Sequence, residues 1–156
     1  MDDQLPFGSP SDDERREALL LYSDGGARGN PGPAAIGAVV LDPATDPPAT
    51  LATVSRRIGV ATNNVAEYEA LIAGLEAATA YPAKEMRVRA DSQLLIRQLQ
   101  GRYKVKHPNL RPLYERARRL LSQYERVDLR HVPREENVEA DALANAALDA
   151  APVGEA

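Results

Sequence analysis

Leu19-Leu20-Leu21-Tyr22-Ser23-Asp24-Gly25-Gly26-Ala27-Arg28-Gly29-Asn30-Pro31-Gly32 is the stretch whose reading decides the fold. An apolar run, Ala18–Ser23, reads as a buried strand, and it ends in a single acid. A glycine-rich turn is expected immediately after Asp24. Such a strand delivers a carboxylate to its end, beside small residues that let a large ligand come close. Asp24 alone could equally be a turn aspartate bonding to the backbone that follows it.

Working outward, two more β-rich runs follow, Ile36–Leu41 and Leu51–Ile58, separated by a Pro-rich hairpin loop at Asp42–Pro48. The period then changes. Val65, Tyr68, Leu71, Ile72, Leu75 and Ala78 recur at three and four, the spacing of an amphipathic helix, with Asn64 and Glu67 as a capping-box-like start. Met86–Ala90 is a short strand, and Ser92–Gln100 a helix stopped by Gly101. Leu113, Arg116, Ala117, Leu120 and Leu121 mark a third helix, Val127–Val132 a fifth strand, and Val138–Leu148 an Ala-rich last helix. The pattern predicts an α/β fold with a mixed sheet flanked by helices. Parallel fourth and fifth strands then require helical crossovers.

Composition sets the frame. The chain has 156 residues and 44% hydrophobic residues, enough for one domain with a full core. Residues 1–17, with six acids against two arginines, read as a disordered acidic leader. Residues 18–150 read as the folded domain, and residues 151–156 as a frayed tail. That leader accounts for the whole net charge of −4, so the rest is neutral. There is no cysteine, which excludes disulfides and thiolate metal sites. With no long apolar run and an acidic N-terminus, no membrane association and a cytoplasmic location are expected.

Three more acids stand in contexts like that of Asp24: Glu67 in Thr62-Asn63-Asn64-Val65-Ala66-Glu67, Asp91 in Ala90-Asp91-Ser92-Gln93, and Asp141 in Asn137-Val138-Glu139-Ala140-Asp141. Each has an ordinary alternative: Glu67 as a capping-box partner, Asp91 as a helix N-cap, Asp141 as a carboxylate suited to a helix dipole. Yet all four lie at strand ends or early helical turns, positions that can converge on one edge of an open α/β sheet. Forced together, such acids repel, and divalent cations relieve the repulsion; hard oxygen ligands favour Mg²⁺ or Mn²⁺ over zinc.

This ordered set resembles the catalytic carboxylates of type 1 ribonuclease H, the metal-dependent nuclease that cuts the RNA strand of RNA–DNA hybrids. The resemblance covers about residues 18 to 149. It implies a five-stranded sheet of order 3-2-1-4-5 and endonucleolytic cleavage by two Mg²⁺ or Mn²⁺ ions, leaving 5′-phosphate and 3′-hydroxyl ends. Asp24 would bridge both ions, Glu67 and Asp91 would complete one coordination sphere, and Asp141 would help complete the other. The substrate partner would be an RNA–DNA hybrid, and a monomer is expected.

The same resemblance assigns Asn30, Asn63, Asn64 and Gln93 to the minor groove and its 2′-hydroxyls, and Thr62 to a DNA-strand phosphate. For each asparagine the alternative is turn or cap chemistry. An arginine that some relatives carry two residues before Thr62 is Val60 here. His131, ten residues before Asp141, matches a loop histidine that assists proton transfer or product release; it could also be a strand-end residue without that role. The segment His131–Asn137 lacks the glycines of the flexible loop in other members, and Arg134 could instead supply a cation near the phosphate. His107 reads as a surface residue beside Pro108. The chain resembles a compact variant without a Trp-rich basic protrusion, for which Arg102, Lys104 and Lys106 would supply a smaller phosphate-binding surface. The rival readings are a non-catalytic hybrid-binding module on the same fold and another metal nuclease.

Overall fold

The computed structural model describes residues 14–150. Its elements are β1 (Arg16–Ala27), β2 (Gly32–Asp42), β3 (Ala49–Ala61), α1 (Asn63–Ala78), β4 (Ala83–Ala90), α2 (Gln93–Leu99), α3 (Arg111–Leu121), β5 (Arg126–His131), a short 3₁₀ turn (Arg134–Glu136) and α4 (Val138–Asp149). One five-stranded sheet has the order β3-β2-β1-β4-β5. Strands β1, β2 and β3 form an antiparallel meander, while β4 and β5 run parallel to β1. The mixed sheet and its implied order are therefore observed. Among the described residues, no helix is long and apolar enough to cross a membrane.

Period-two alternation in β1 sends Leu19 and Leu21 to one face, where they join Tyr68, Leu71 and Leu75 of α1, Met86 and Val88 of β4, and residues of α2 and α3 in the main core. Tyr68 spans this layer with a buried hydrogen bond, its hydroxyl donating to Gln98 Oε1 of α2 at 2.6 Å. The opposite face is covered by α4, which packs across β2, β3 and β1. There Ser55 donates to the Leu143 carbonyl, and Arg57 to the carbonyls of Leu148 and Ala150 at the end of the helix.

Several boundaries differ from the sequence reading. Strand β1 starts at Arg16, inside the segment read as leader, because Arg16 pairs with Ala83 of β4 and its guanidinium binds Asp42 at 2.9 Å. The remaining leader, residues 1–13, and the tail, residues 151–156, lie outside the described residues. The expected turn after Asp24 is also displaced. Gly25, Gly26 and Ala27 continue the strand, paired with Ile36, Ala35 and Ala34. The turn comes only at Gly29, whose φ of 97° lies in the region that glycine tolerates. Strand β3 is longer than expected because β2 offers partners along its whole length.

The glycines that matter for packing are Gly25 and Gly37. A Cβ on Gly25 would lie 2.1 Å from the Ala66 carbonyl oxygen of α1, and one on Gly37 would lie 2.1 Å from the Ala140 carbonyl oxygen of α4. Each glycine lets one helix lie directly on the sheet. Gly25→Ala and Gly37→Ala should each destabilise the fold by about 1–3 kcal/mol or more, the range of core overpacking. Thermal unfolding checks this: an unchanged midpoint in either variant would show that the helix is free to retreat.

Candidate active site

The site forms at the carboxyl ends of the parallel strands, where open α/β sheets place ligands. Ser23 of β1 is the register partner of Ala90 of β4, so the residues that follow, Asp24 and Asp91, stand level. Ala90 in turn pairs with His131, the last residue of β5. Two helices complete the set. Because α1 rests on Gly25, Glu67 reaches across the strand, and the Gly25 N–H donates to its Oε1 at 3.2 Å. Gly37 is the register partner of Asp24, and α4 rests on it, which brings Asp141 of the first helical turn to the same edge.

Carboxylate oxygens of Asp24, Glu67 and Asp91 lie within 4.8 Å of one another. Asp141 falls outside that triad, but its charge acts on Asp24. All four line one open cleft of about 550 Å³, together with Asn63, His131, Arg134 and Asn145. Arg134 lies 3.7 Å from Asp141, Arg28 also lines the cleft, and Asn145 Nδ2 donates to the Asp141 carboxylate at 3.3 Å.

The electrostatics follow from the crowding. Burial, the hydrogen bond to Asp141 and the charges of Asp91 and Asp141 push the Asp24 carboxyl up to about 8, against a partial opposing pull from Arg134. Burial and the charges of Asp24 and Asp91 hold Glu67 well above the usual carboxylate range, although the Gly25 N–H and Arg134 oppose this. A cluster of oxygen donors that resists ionisation on its own fits a hard divalent cation, and Asp24, Glu67 and Asp91 are the residues that would hold it.

The capping explanations of Glu67 and Asp91 do not account for their positions, whereas Asp141 does lie in the first turn of α4. The cap of α1 is Thr62, whose hydroxyl accepts from Val65 N–H at 3.2 Å, so the expected Asn64–Glu67 capping box does not form. The cap of α2 is Ser92, not Asp91. Of the other predicted site residues, Asn63 lines the cleft and its Oδ1 accepts from the Ala27 N–H. Asn30 Oδ1 accepts from the Asn63 N–H. Asn30, Thr62 and Asn64 line a neighbouring cleft of about 200 Å³ with His107, whose exposed ring accepts the Asn109 N–H at Nδ1.

Gln93 is exposed at the start of α2 and does not line the carboxylate cleft. Lys104 and Lys106 line a separate cleft of about 570 Å³ with Tyr103, Arg111 and Tyr114, and Arg102 is exposed nearby in sequence. Val60, in place of an arginine, is 74% exposed. The segment after His131 is a tight 3₁₀ turn that carries Arg134. Sequence reasoning missed Gly37, whose only signal was a glycine inside a strand pattern, and Asn145, one turn beyond Asp141.

Folded Asp24 and Glu67 retain protons that the unfolded chain releases, so the native state binds more protons than the unfolded state over that range. Stability without metal should therefore fall as pH rises from about 4 to about 8. Above that range, saturating Mg²⁺ should restore it. Melting curves near pH 5 and about pH 9, with Mg²⁺ or chelator, test this. A chelated protein that is equally stable at both pH values, or an Asp24→Asn variant no more stable than the parent at the higher one, would contradict the crowding.

Residues 22–147 match the family described as reverse transcriptase-like. The chain is 51% identical over 133 residues to the bifunctional protein Rv2228c of Mycobacterium tuberculosis, covering 85% of this chain and 36% of that protein. It thus spans about a third of the length of the mycobacterial relatives it matches. It is 45% identical over 148 residues to ribonuclease HI of Halobacterium salinarum, covering 91% of this chain and 73% of that protein. Among solved structures, the N-terminal RNase H domain of Rv2228c superposes with a TM-score of 0.80 at 50% identity, covering 85% of this chain and 99% of that one. RNase H1 of H. salinarum gives 0.80 at 46% identity, covering 86% and 99%. LC11-RNase H1, solved in complex with an RNA/DNA hybrid, gives 0.76 at 43% identity, covering 84% and 96%. By fold, carboxylate cleft and relatives together, the chain belongs to the type 1 ribonuclease H family.

Proposed function

We propose that the chain is an endoribonuclease that hydrolyses the RNA strand of RNA–DNA hybrids with two Mg²⁺ or Mn²⁺ ions, leaving 5′-phosphate and 3′-hydroxyl ends. The observation that carries this reading is the triad of carboxylates within 4.8 Å, joined by Asp141, in an open cleft. A relative at 43% identity, solved on an RNA/DNA hybrid, supports the substrate class. Asp24, Glu67, Asp91 and Asp141 would hold the ions. When bound, such ions polarise a phosphodiester and lower the pKa of an attacking water.

The chain's own residues do the rest. The cleft is open, so a duplex can approach the carboxylates from outside. Asn63 and Asn30 support each other and the β1 backbone, and so present short polar groups at the edge where 2′-hydroxyls would lie. Arg134 faces Asp141 and supplies positive charge to a phosphate entering the cleft. His131 is exposed at the rim, where it can exchange a proton with solvent and with a departing 3′-oxygen. The Lys104–Lys106–Arg111 cleft offers a second, salt-sensitive grip on the duplex backbone.

Matched labelled duplexes (RNA–DNA, RNA–RNA, DNA–DNA) and single-stranded RNA, each with Mg²⁺, Mn²⁺ or chelator, test the reading. Internal cuts confined to the RNA of the hybrid, and lost with chelator, are expected. Tight hybrid binding without cleavage would instead support a non-catalytic binding module. Asp24→Asn should fold normally and lose cleavage; retained activity would remove Asp24 from the mechanism. His131→Ala should slow turnover by roughly a hundredfold without abolishing it, as for a positioned proton-transfer group. An unchanged rate across pH would leave that role to Arg134 or to no side chain.

A further inference from the structure

Asn137 occupies the N-cap position of α4, where an asparagine side chain ordinarily accepts a backbone N–H of the first turn. Here it makes no such bond. The residue is 1% exposed and its side chain turns inward, with Nδ2 donating to the Ser23 carbonyl at 2.9 Å, across 114 positions of sequence. Ser23 immediately precedes Asp24. The Asn137 backbone is equally committed: its carbonyl accepts the Asp141 N–H at 3.1 Å, and its N–H donates to the Arg134 carbonyl at 3.0 Å. One buried residue therefore touches the strand that carries Asp24, the turn that carries Arg134 and the helix that carries Asp141.

Gly37 sets how closely α4 approaches the sheet, but a glycine contact does not fix where along the strand the helix begins. Ser55 and Arg57 tie the later turns of α4 to β3, and the Asn137 amide fixes its start. It bonds to the backbone beside Asp24, so any slide of α4 along the sheet breaks it. The two carboxylates on either side of this bond, Asp24 and Asp141, line the same cleft.

We propose that Asn137 is a positioning residue whose amide fixes the separation of Asp24 and Asp141, and with it the affinity for a divalent cation that those two carboxylates would hold. This rests on the metal-nuclease reading given above. It predicts an asymmetric effect. The triad of Asp24, Glu67 and Asp91 is held by β1, β4 and α1 and does not depend on Asn137, whereas Asp141 does.

The test uses Asn137→Ser in the full chain. A serine hydroxyl can cap α4 in the ordinary way but is too short to reach the Ser23 carbonyl, so helix formation is kept while the tether is cut. Calorimetric titration with Mn²⁺ should show one class of site weakened roughly ten- to a hundredfold and the other within about twofold of the parent, the size of effect seen when a residue supporting a ligand is lost. The Mg²⁺ needed for half-maximal hybrid cleavage should rise by the same factor, with kcat at saturating Mg²⁺ nearly unchanged.

Isotherms identical to the parent would overturn the proposal, as would equal weakening of all binding together with a lowered melting temperature. If Asn137→Ser does not fold, the unmodified chain still decides. The side-chain amide signals of Asn137 in an NMR titration with Mg²⁺ should shift as the cation binds, and signals that stay fixed to saturation would overturn the proposal. Should the unmodified chain bind no Mn²⁺ at all, the metal-site reading fails and the proposal fails with it. Binding by the parent with no change in the variant refutes the proposal alone.

Discussion

Mutual repulsion among four carboxylates at one edge of the sheet is the constraint on which the rest of the structure depends. Asp24, Glu67 and Asp91 lie within 4.8 Å, and Asp141 lines the same cleft. Left to themselves such groups separate or take up protons, and the Asp24 carboxyl pushed up to about 8 reflects the second course. Holding them together takes a scaffold that cannot relax. Register supplies part of it, because Asp24 and Asp91 follow paired residues of adjacent strands. The helices supply the remainder, each seated on a glycine where any side chain would collide with helix backbone.

The two faces of the sheet divide this work. On one face α1, α2 and α3 build the large apolar core that anchors β1 and β4, and Glu67 arrives from the first turns of α1. On the other, α4 covers the meander and brings Asp141. Arg134, on the short turn before α4, places a guanidinium against the cluster and partly offsets its charge. A divalent cation would do so more completely, since it can bind several carboxylates at once and needs them ionised. The same crowding that makes the site unfavourable without metal would therefore favour a bound cation.

Much of this was legible in the sequence. Runs such as Ala18–Ser23 and the three-and-four spacing from Val65 to Ala78 specify strand and helix through apolar periodicity, which packing then reinforces. The four acids were legible as a set because, with their neighbours and in this order, they resemble the carboxylates of type 1 ribonuclease H. Local chemistry was less so. Gly25 and Gly26 read as a turn, since sequence cannot distinguish a glycine chosen for its dihedral angle from one chosen for the helix that will rest on it. Asn64 looked like the cap of α1, but Thr62 takes that place. Asn137 was legible only as a neighbour of Asp141, because its partner, the Ser23 carbonyl, lies at the other end of the chain. The basic segment at Lys104 and Lys106 was legible as charge, but its separation from the carboxylates was not, because helix packing alone decides where that segment lies.

The central claim is that crowded, partly protonated carboxylates form a divalent-cation site. The most direct test is calorimetric titration of Mn²⁺ into chelator-treated protein at about pH 7, repeated in buffers of different ionisation enthalpy. The account predicts binding accompanied by proton release to the buffer, because a carboxyl pushed up to about 8 must lose its proton to act as a ligand. Binding with no proton release, or no binding at all, would contradict it.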